Sequence, residues 1–368
     1  MLYTVPDYYD KFYCLADKCP ASCCEGWEII IDKNSLKEYA SIEGPFGNRL
    51  KNSVDWKEGI FKQYNKRCAF LNEKNLCDIH MEVGEEMMCD TCRTYPKHIE
   101  EYDNEREISL ALSCPVAAKL ILKNKSTVKF ITTEDDTEGP EDKDFDIFLY
   151  SALIESRKVI IEILQNRDEN IYVRMAKVLN LSNEIQEKIN NDNIFGIEDI
   201  LDIYKFDKTS YDRNLKIVLN KDKILYILSL LDELEKLDDN WVRDVYKWKK
   251  VIEDFLDEDI KTSVVSESEL EQMAVYFVFV YFCTSVYDYD VLSKIKMAVI
   301  STLIWENICR AESFIQSSNN EIDKLSEGKK LELAWRYSRE LEHSDLNLAK
   351  MEDLMNDRVD INDLLNDL

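Results

Sequence analysis

Nine of the eleven cysteines lie within the first 114 residues, and the 254 residues that follow contain only Cys283 and Cys309. The nine are Cys14, Cys19, Cys23, Cys24, Cys68, Cys77, Cys89, Cys92 and Cys114. A reduced structural core has no reason to concentrate cysteine so unevenly, whereas thiolates from several short segments can surround a soft metal or an iron–sulfur cluster. The distribution therefore predicts an N-terminal thiolate metal site.

The rest of the composition favours helix. Eight glycines and six prolines in 368 residues provide few turns for an all-β fold, while Leu, Ile, Glu and Lys are abundant. We expect a mainly α protein, in which an N-terminal cysteine-rich metal-binding module with little β structure precedes a multi-helix C-terminal domain.

The chain changes character at EDDTEGPEDKDFD, residues 134–146, where acidic residues surround a Gly-Pro turn signal and apolar periodicity stops. The predicted division is a cysteine-rich domain at 1–133, an acidic linker at 134–146 and a helical domain at 147–368.

Apolar residues recur at helical spacing in several segments after the linker. The predicted amphipathic helices cover 149–165, 223–237, 241–256 and 294–309. Ser266 and Glu269 form a candidate capping box before the apolar stretch 273–287, which is too short to span a bilayer and reads as a buried helix. Before the linker, residues 27–31 are a candidate strand, followed by polar helix or loop to about residue 66.

A net charge of −26 argues against nucleic-acid and anionic-membrane partners. The acidic surface either keeps the protein in solution or attracts a lysine-rich partner, and the sequence leaves the oligomeric state open. The N-terminus lacks the basic flank and apolar region of a signal peptide, so we expect a cytoplasmic protein with reduced cysteines.

The cysteine spacing alone does not choose the metal. A structural zinc site typically has two Cys-x2-4-Cys knuckles, and only Cys89-x2-Cys92 fits that pattern cleanly. The ferredoxin run is also missing, so a cluster has to be assembled from dispersed segments.

Four ordered motifs closely resemble the flagellin lysine N-methylases. They are FYCLADKCPASCCEGW (12–27), CAFLNEKNLC (68–77), CRTYPKH (92–98) and SLALSCPVA (109–117). The resemblance continues in WRYSRELEHSDLNL (335–348), and several motifs are shared with a wider set of zinc- or iron-chelating cysteine proteins. It implies an S-adenosylmethionine-dependent protein-lysine N-methyltransferase that acts on flagellin and carries a [4Fe-4S] cluster, with zinc as the alternative metal.

The resemblance also supplies the candidate metal ligands. They are Cys14, Cys19, Cys23, Cys24, Cys68, Cys77, Cys92 and Cys114, whereas Cys89 falls outside the motifs. Eight thiols exceed the four that one cluster needs, which leaves a second metal, a redox pair or structural thiols for the surplus. Neighbouring side chains point apart in most backbones, so Cys23 and Cys24 are not expected to bind one cluster together. Cys283 and Cys309, on apolar helices, are expected to be structural.

Candidate catalytic residues come from the C-terminal motif. Arg336, Arg339, Glu342 and His343 lie within one or two helical turns and predict a shared polar face, either contacting the cofactor carboxylate or substrate lysine, or simply ion-paired. His80 is an auxiliary metal ligand or a surface residue, and His98 is expected to be structural.

Methyl transfer to lysine requires a neutral amine, so the site needs a base or an apolar cleft. The eight glycines form no glycine-rich cofactor loop, and the cysteines do not match the radical Cys-x3-Cys-x2-Cys signature. A polar two-electron transfer and a radical route both stay open, and the polar route is preferred because an amine lone pair needs no radical activation. The alternatives are a non-enzymatic zinc- or iron-binding helical interaction protein, and a metal carrier or redox sensor.

Overall fold

The computed structural model describes residues 1–137, 139, 145–206, 215–255, 263–317 and 324–367. Within these ranges the α-helices are Lys33–Ser41, Gly44–Ser53, Asp78–Val83, Asp90–Thr94, Pro115–Leu122, Ile147–Leu164, Ile171–Asn190, Gly196–Phe206, Lys221–Ser229, Asp239–Phe255, Glu267–Tyr281, Ser285–Asp288, Val291–Gln316, Glu327–Glu342, Asp345–Asp357 and Ile361–Leu364. The strands are Leu2–Pro6, Val54–Asp55, Ile60–Phe61, Gln63–Tyr64, Arg67–Cys68, Lys97–Tyr102, Glu105–Leu110, Phe130–Glu134, Leu215–Ile217 and Leu365–Asp367. The expected mainly α fold is confirmed.

The long amphipathic helices form because apolar residues repeat every three to four positions. Helices Ile147–Leu164, Asp239–Phe255 and Val291–Gln316 confirm three of the four predicted segments. The fourth, predicted at 223–237, ends as an α-helix at Ser229 and continues only as a 3-10 turn, Leu230–Glu233.

The capping box is confirmed: the Ser266 side chain accepts from the Glu269 backbone, and the Glu269 carboxylate accepts from the Ser266 backbone. The helix that follows is buried on all sides from Glu269 onward and packs on Val291–Gln316. From Met273 to Tyr281 its residues are all apolar or aromatic, as full burial favours. By length and composition the helical stretch Glu267–Asp288 is apolar enough to cross a membrane, but 89% of its apolar window is buried inside the protein. This is what a core helix requires.

A four-stranded mixed sheet was not anticipated. Its strand order is Lys97–Tyr102, Glu105–Leu110, Leu2–Pro6 and Phe130–Glu134. The N-terminal strand is parallel to Glu105–Leu110 and antiparallel to Phe130–Glu134, so segments more than 100 residues apart in sequence pair side by side.

The predicted strand at 27–31 is wrong. Ile29 and Ile31 are buried while Ile30 is 61% exposed, so the alternation is real. The segment nevertheless meets residues 59–61 through an isolated bridge, Ile30 to Ile60, which is too short to form a ladder.

Buried apolar residues form two clusters. The smaller cluster belongs to the cysteine-rich segment and includes Ile29, Phe61, Phe70 and Ile79. The larger one combines the C-terminal helices with residues of the N-terminal part, such as Leu112. The predicted linker at 134–146 lies partly outside the described residues, and the division at that point stays a prediction.

The helix Glu327–Glu342 joins these parts. It begins at the Ser326 cap and packs on Pro115–Leu122 and Val291–Gln316. Its Tyr337 hydroxyl lies 2.8 Å from Ser301 Oγ, and the Lys330 ammonium pairs with Glu269 at 2.9 Å. These contacts hold one face of the helix on the core, and another face borders the cysteine-rich segment.

Candidate functional site

Six cysteines border one cavity in the cysteine-rich segment. They are Cys23, Cys24, Cys68, Cys77, Cys89 and Cys92. The remaining wall is apolar and aromatic and includes Trp27, Tyr39, Phe61, Phe70 and Tyr95, and the cavity has an empty volume of about 510 Å³. Three separate stretches of sequence thus bring their thiols to one place.

Local backbone pairing positions these thiols. The Cys68 N–H donates to the Cys24 carbonyl at 2.9 Å, which places the two cysteines side by side. Cys77 is the residue that precedes helix Asp78–Val83, and Cys89 precedes helix Asp90–Thr94, which carries Cys92.

Asp32 attaches the Cys89–Cys92 stretch to the rest of the cysteine-rich segment. Its carboxylate caps helix Lys33–Ser41 and also accepts from the Asp90 N–H at 3.0 Å. The Thr91 hydroxyl donates to the Ile30 carbonyl at 2.8 Å. The short helix is therefore held by polar contacts where it has little apolar surface of its own.

Two pairs of thiols, Cys23 with Cys24 and Cys89 with Cys92, interact by hydrogen bonds that shift their pKa values. The Cys23 thiol hydrogen-bonds to the Cys24 sulfur, which lowers the pKa of Cys24 to about 7 and raises that of Cys23. The same arrangement lowers the pKa of Cys89 and raises that of Cys92. Burial raises the pKa of Cys68 to about 12 and also raises that of Cys77. Metal binding here would displace protons from most of these thiols.

The structure places five of the eight predicted metal-binding cysteines at the cavity, together with one cysteine that was not predicted. Cys23, Cys24, Cys68, Cys77 and Cys92 border the cavity. Cys14, Cys19 and Cys114 are not among its lining residues. Cys89, which falls outside the motifs, also borders the cavity beside Cys92. The Cys-x2-Cys spacing of Cys89 and Cys92 was the available signal.

The cavity offers thiols as its metal donors, and thiolates bind both zinc and iron–sulfur clusters. Among the residues described, no three Cys, His, Asp or Glu side chains already surround a point at which one metal ion could bind.

An open cleft lies on the other side of this module, between it and helix Glu327–Glu342. Its empty volume is about 1040 Å³. The cleft is lined by Pro20, Ala21, Glu25, Gly26, Asn65, Lys66, Arg67, Leu237, Asp238, Trp241, Trp335, Arg336, Arg339, Glu340 and His343. It is therefore bordered by two indole rings and by charges of both signs.

Arg339 ties the cleft walls together. Its Nε donates to the Ser113 carbonyl and its Nη2 to the Ala21 carbonyl, each at 3.1 Å. The guanidinium also lies 4.8 Å from the centre of the Trp335 ring, a cation–π distance. One side chain thus connects helix Glu327–Glu342 to two cysteine-bearing segments.

Glu340 is the acid that sequence reasoning missed. It is only 6% exposed, and burial raises its pKa to about 7, while Asp238 acts in the same direction and Lys66 opposes it. Its carboxylate accepts from the Leu237 N–H at 3.1 Å. Its position one turn from Arg336 and three residues before His343 was the only signal in the sequence.

His343 forms part of the wall between the cleft and the cavity. Its ring lies 4.6 Å from the Trp27 ring and 6.0 Å from Tyr95, and both of those residues border the cavity. Its Nε2 is buried and has no hydrogen-bond partner within the described ranges. Burial, with Arg339 next, lowers the pKa of His343 to about 3.

His343 should therefore remain neutral throughout the physiological range. Its imidazole proton resonances are expected not to shift between pH 5 and pH 8 in an NMR titration, because the charged form is disfavoured by desolvation. Free histidine in the same buffer, with a reference pKa of about 6.5, serves as the comparison. A His343 resonance that moves with a midpoint near 6.5 would contradict the buried, neutral state.

The predicted shared polar face is correct for Arg336, Arg339 and His343 and wrong for Glu342. Glu342 faces the core, where it accepts from the Tyr276 and Tyr281 hydroxyls at 2.7 Å each. Glu342 lies only three residues after Arg339, but the two tyrosine hydroxyls hold its carboxylate in the core.

The other two histidines lie away from the thiol cavity lining. His80 is exposed on helix Asp78–Val83. His98 belongs to the edge strand of the sheet, with Nε2 2.8 Å from the Glu100 carboxylate.

Comparison with known proteins gives a consistent result. Residues 157–366 match the family model for the FliB lysine N-methylase C-terminal domain. Over 130 residues, 33% of the chain, it is 28% identical to a lysine-N-methylase of Salmonella typhimurium and 30% identical to the flagellar biosynthetic protein FliU of Salmonella muenchen. The alignment covers 32% of the first relative and 77% of the second. The chain thus spans about a third of the length of the lysine-N-methylase, and no solved structure matches it.

Proposed function

The chain belongs to the FliB lysine N-methylase C-terminal domain family, and we propose that it methylates lysine side chains of a protein substrate in the cleft beside Glu340 and His343. The observation that carries this proposal is a buried carboxylate whose pKa is about 7, in an aromatic-lined cleft at the motif that resembles the family. A general base for an amine works best when its pKa is near the working pH.

The first task of the site is to deprotonate the substrate. A lysine ammonium has a reference pKa of about 10.4 and has no lone pair with which to attack a methyl group. The Glu340 carboxylate can take its proton, directly or through one water. The indole rings of Trp241 and Trp335 give the cleft apolar surface, which favours the neutral amine.

We propose S-adenosylmethionine as the methyl donor. Its sulfonium methyl is transferred to the amine nitrogen as the C–S bond breaks, leaving a thioether, and the amine lone pair forms the new C–N bond. The Arg339 guanidinium has five N–H donors, and those beyond the two used by the Ser113 and Ala21 carbonyls can bind a carboxylate. This polar route requires no radical.

A [4Fe-4S] cluster is proposed for the thiol cavity. The motif cysteines that border it are Cys23, Cys24, Cys68, Cys77 and Cys92, and four of them would hold the cluster. A bound cluster would supply Lewis-acidic, redox-active iron. The wall of Trp27, Tyr95 and His343 separates that cavity from the cleft.

Flagellin is the proposed substrate and the cytoplasm the proposed compartment, where lysines can be modified before export. The support is the flagellar naming of FliU and of the family model. A net charge of −26 also favours approach by a lysine-bearing surface.

The experiment is direct methyl transfer. The full chain, purified anaerobically and kept with reductant, is incubated with methyl-labelled S-adenosylmethionine and the cognate flagellin, and labelled peptides are located by mass spectrometry. We expect label on lysine ε-nitrogens, and none on flagellin whose amines have been blocked by acetylation. A preparation with intact iron and sulfide that transfers no label would overturn the proposal and favour the metal-binding interaction protein.

A further inference from the structure

Two exposed phenylalanines lie in contact at a surface outside the cleft. Phe148 is 65% exposed and Phe195 is 79% exposed, although the centres of their rings are only 6.0 Å apart. Neither residue lines the cleft or the thiol cavity. Large apolar side chains that lie together on a surface commonly mark a site of protein association, whereas single ones do not.

Two neighbouring helices carry this surface. The first phenylalanine lies in the first turn of helix Ile147–Leu164, and the second directly precedes helix Gly196–Phe206. The helices pack against each other, and farther along them the Lys205 ammonium lies 3.9 Å from the Glu155 carboxylate. Their beginnings meet at the phenylalanines and later turns meet at this ion pair, so the helices run in the same direction. The surface extends about 10 Å along the first helix between these contacts.

The residues between these contacts are exposed. On the second helix Asp199, Asp202 and Ile203 all face solvent, and Ser151 does so on the first. Ile203 adds an apolar side chain to the face that carries the two aspartates, because residues three and four apart lie on one side of a helix. We call this surface the two-helix face, formed by Phe148, Glu155, Phe195, Asp199, Asp202 and Ile203.

The charge of the two-helix face is negative. Lys158 and Lys205 both pair with Glu155, at 2.5 Å and 3.9 Å respectively. Asp199 and Asp202 are exposed, and neither pairs with a cation among the described residues. The face thus offers aromatic rings beside carboxylates whose charge is not neutralised.

This charge decides which partner the face can bind. A second copy of the chain docked through the same face would bring the carboxylates of both copies together, and each copy carries a net charge of −26. An anionic membrane is repelled for the same reason. A positively charged partner is attracted, and apolar side chains on it can cover the exposed rings. A helix that is apolar along one side and basic along the other has both properties.

We propose that the two-helix face binds an amphipathic helix of a protein partner. Its apolar side covers Phe148 and Phe195, and its lysines meet Asp199 and Asp202. Burial of the rings stabilises the complex, and the carboxylates select a basic partner over an acidic one. This docking site does not depend on methyl transfer, since none of its residues lines the cleft.

The test is the binding of a defined probe to the full chain, measured by fluorescence anisotropy. The probe is a fluorescein-labelled amphipathic peptide of leucine and lysine with about 18 residues, which form five helical turns. Phe148→Ser/Phe195→Ser should weaken binding by about 10-fold or more, because aromatic anchors carry much of the energy of an interface. Tyr246→Ser/Leu346→Ser is the matched control, since it removes two similarly exposed apolar side chains from other helices, and it should bind like the unmodified protein. Far-UV circular dichroism checks that each variant is folded.

Asp199→Asn/Asp202→Asn should weaken binding by a smaller factor and reduce its dependence on salt concentration. A twin peptide with glutamate in place of every lysine should bind much more weakly than the lysine peptide. The proposal is overturned if the unmodified protein does not bind the lysine peptide, if the folded phenylalanine variant binds it equally well, or if the glutamate twin binds as tightly. A dimer in sedimentation velocity that the phenylalanine variant dissociates would identify a second copy as the occupant instead. Because no methyl transfer is measured, each of these outcomes is independent of whether the enzyme proposal holds.

Discussion

Replacing Glu340 with glutamine should lower the rate of methyl transfer to lysine by about 10²- to 10⁴-fold, the usual contribution of a positioned general base. Glutamine retains an oxygen that can accept from the Leu237 N–H, so the cleft should keep its shape. In the unmodified protein the rate should rise with pH through about 7, as the Glu340 carboxylate loses its proton, and the variant should lose this inflection. Initial rates with labelled donor between pH 5.5 and pH 9 measure both effects.

The matched control is Glu342→Gln, on the same helix. Burial also raises the pKa of Glu342, but its carboxylate faces Tyr276 and Tyr281 in the core. This variant should change stability while retaining the pH inflection near 7. If Glu340→Gln transfers methyl groups at the unmodified rate with the same pH profile, Glu340 is not the base.

Glu340→Gln should also stabilise the fold at alkaline pH. Glu340 ionises at about 7 in the folded protein and near 4.5 when unfolded, so its contribution to stability falls as pH rises from 4.5 to 7 and stays low above that. At about 1.4 kcal/mol per pKa unit, the cost above pH 7 is on the order of 3 kcal/mol. Urea unfolding should show the variant more stable at pH 8 and not at pH 4, a gain that a damaged cleft would not produce.

Replacing Cys68 with serine should remove most of the iron and sulfide bound in the cavity and abolish methyl transfer. Loss of a metal ligand is expected to cost at least as much as loss of an outer-shell partner, about 10- to 100-fold in metal affinity. Burial raises the pKa of Cys68 to about 12, so the free thiol keeps its proton and metal binding must release it. Iron, sulfide and the visible absorbance of the cluster are the measurements.

Cys283→Ala is the matched control for this prediction. Burial raises the pKa of Cys283 to about 12 as well, but the residue lies in the large helical core, outside the cavity. The control should retain its metal and activity even where packing is weakened. Full iron content in folded Cys68→Ser would exclude Cys68 as a ligand.

Helices and their caps could be predicted from the sequence because they depend on interactions between residues that are close together in the chain. Helical periodicity predicted the helices Ile147–Leu164 and Val291–Gln316. The pair Ser266 and Glu269 predicted the capping box that the structure contains. The mixed sheet was missed, since Leu2–Pro6 pairs with partners more than 100 residues away, and no local period encodes such pairing.

The candidate site followed the same division. The clustered thiols and the polar C-terminal motif could be identified from the sequence, but the role of Glu340 could not, because it depends on neighbours from other segments. Burial raises the pKa of Glu340, and the negative charge of Asp238 adds to the effect. From the sequence, Glu342 is as plausible a catalytic acid as Glu340, but in the structure its carboxylate accepts a hydrogen bond from Tyr276 in the core.

The sequence by itself determined a mainly α chain with thiols gathered at its N-terminus, because composition and periodicity act through neighbours along the chain. Only the tertiary structure decided which thiols share a cavity and that Glu340 lines the cleft while Glu342 does not. Distances between side chains and their removal from water depend on how distant segments pack, and those two quantities set metal binding and pKa.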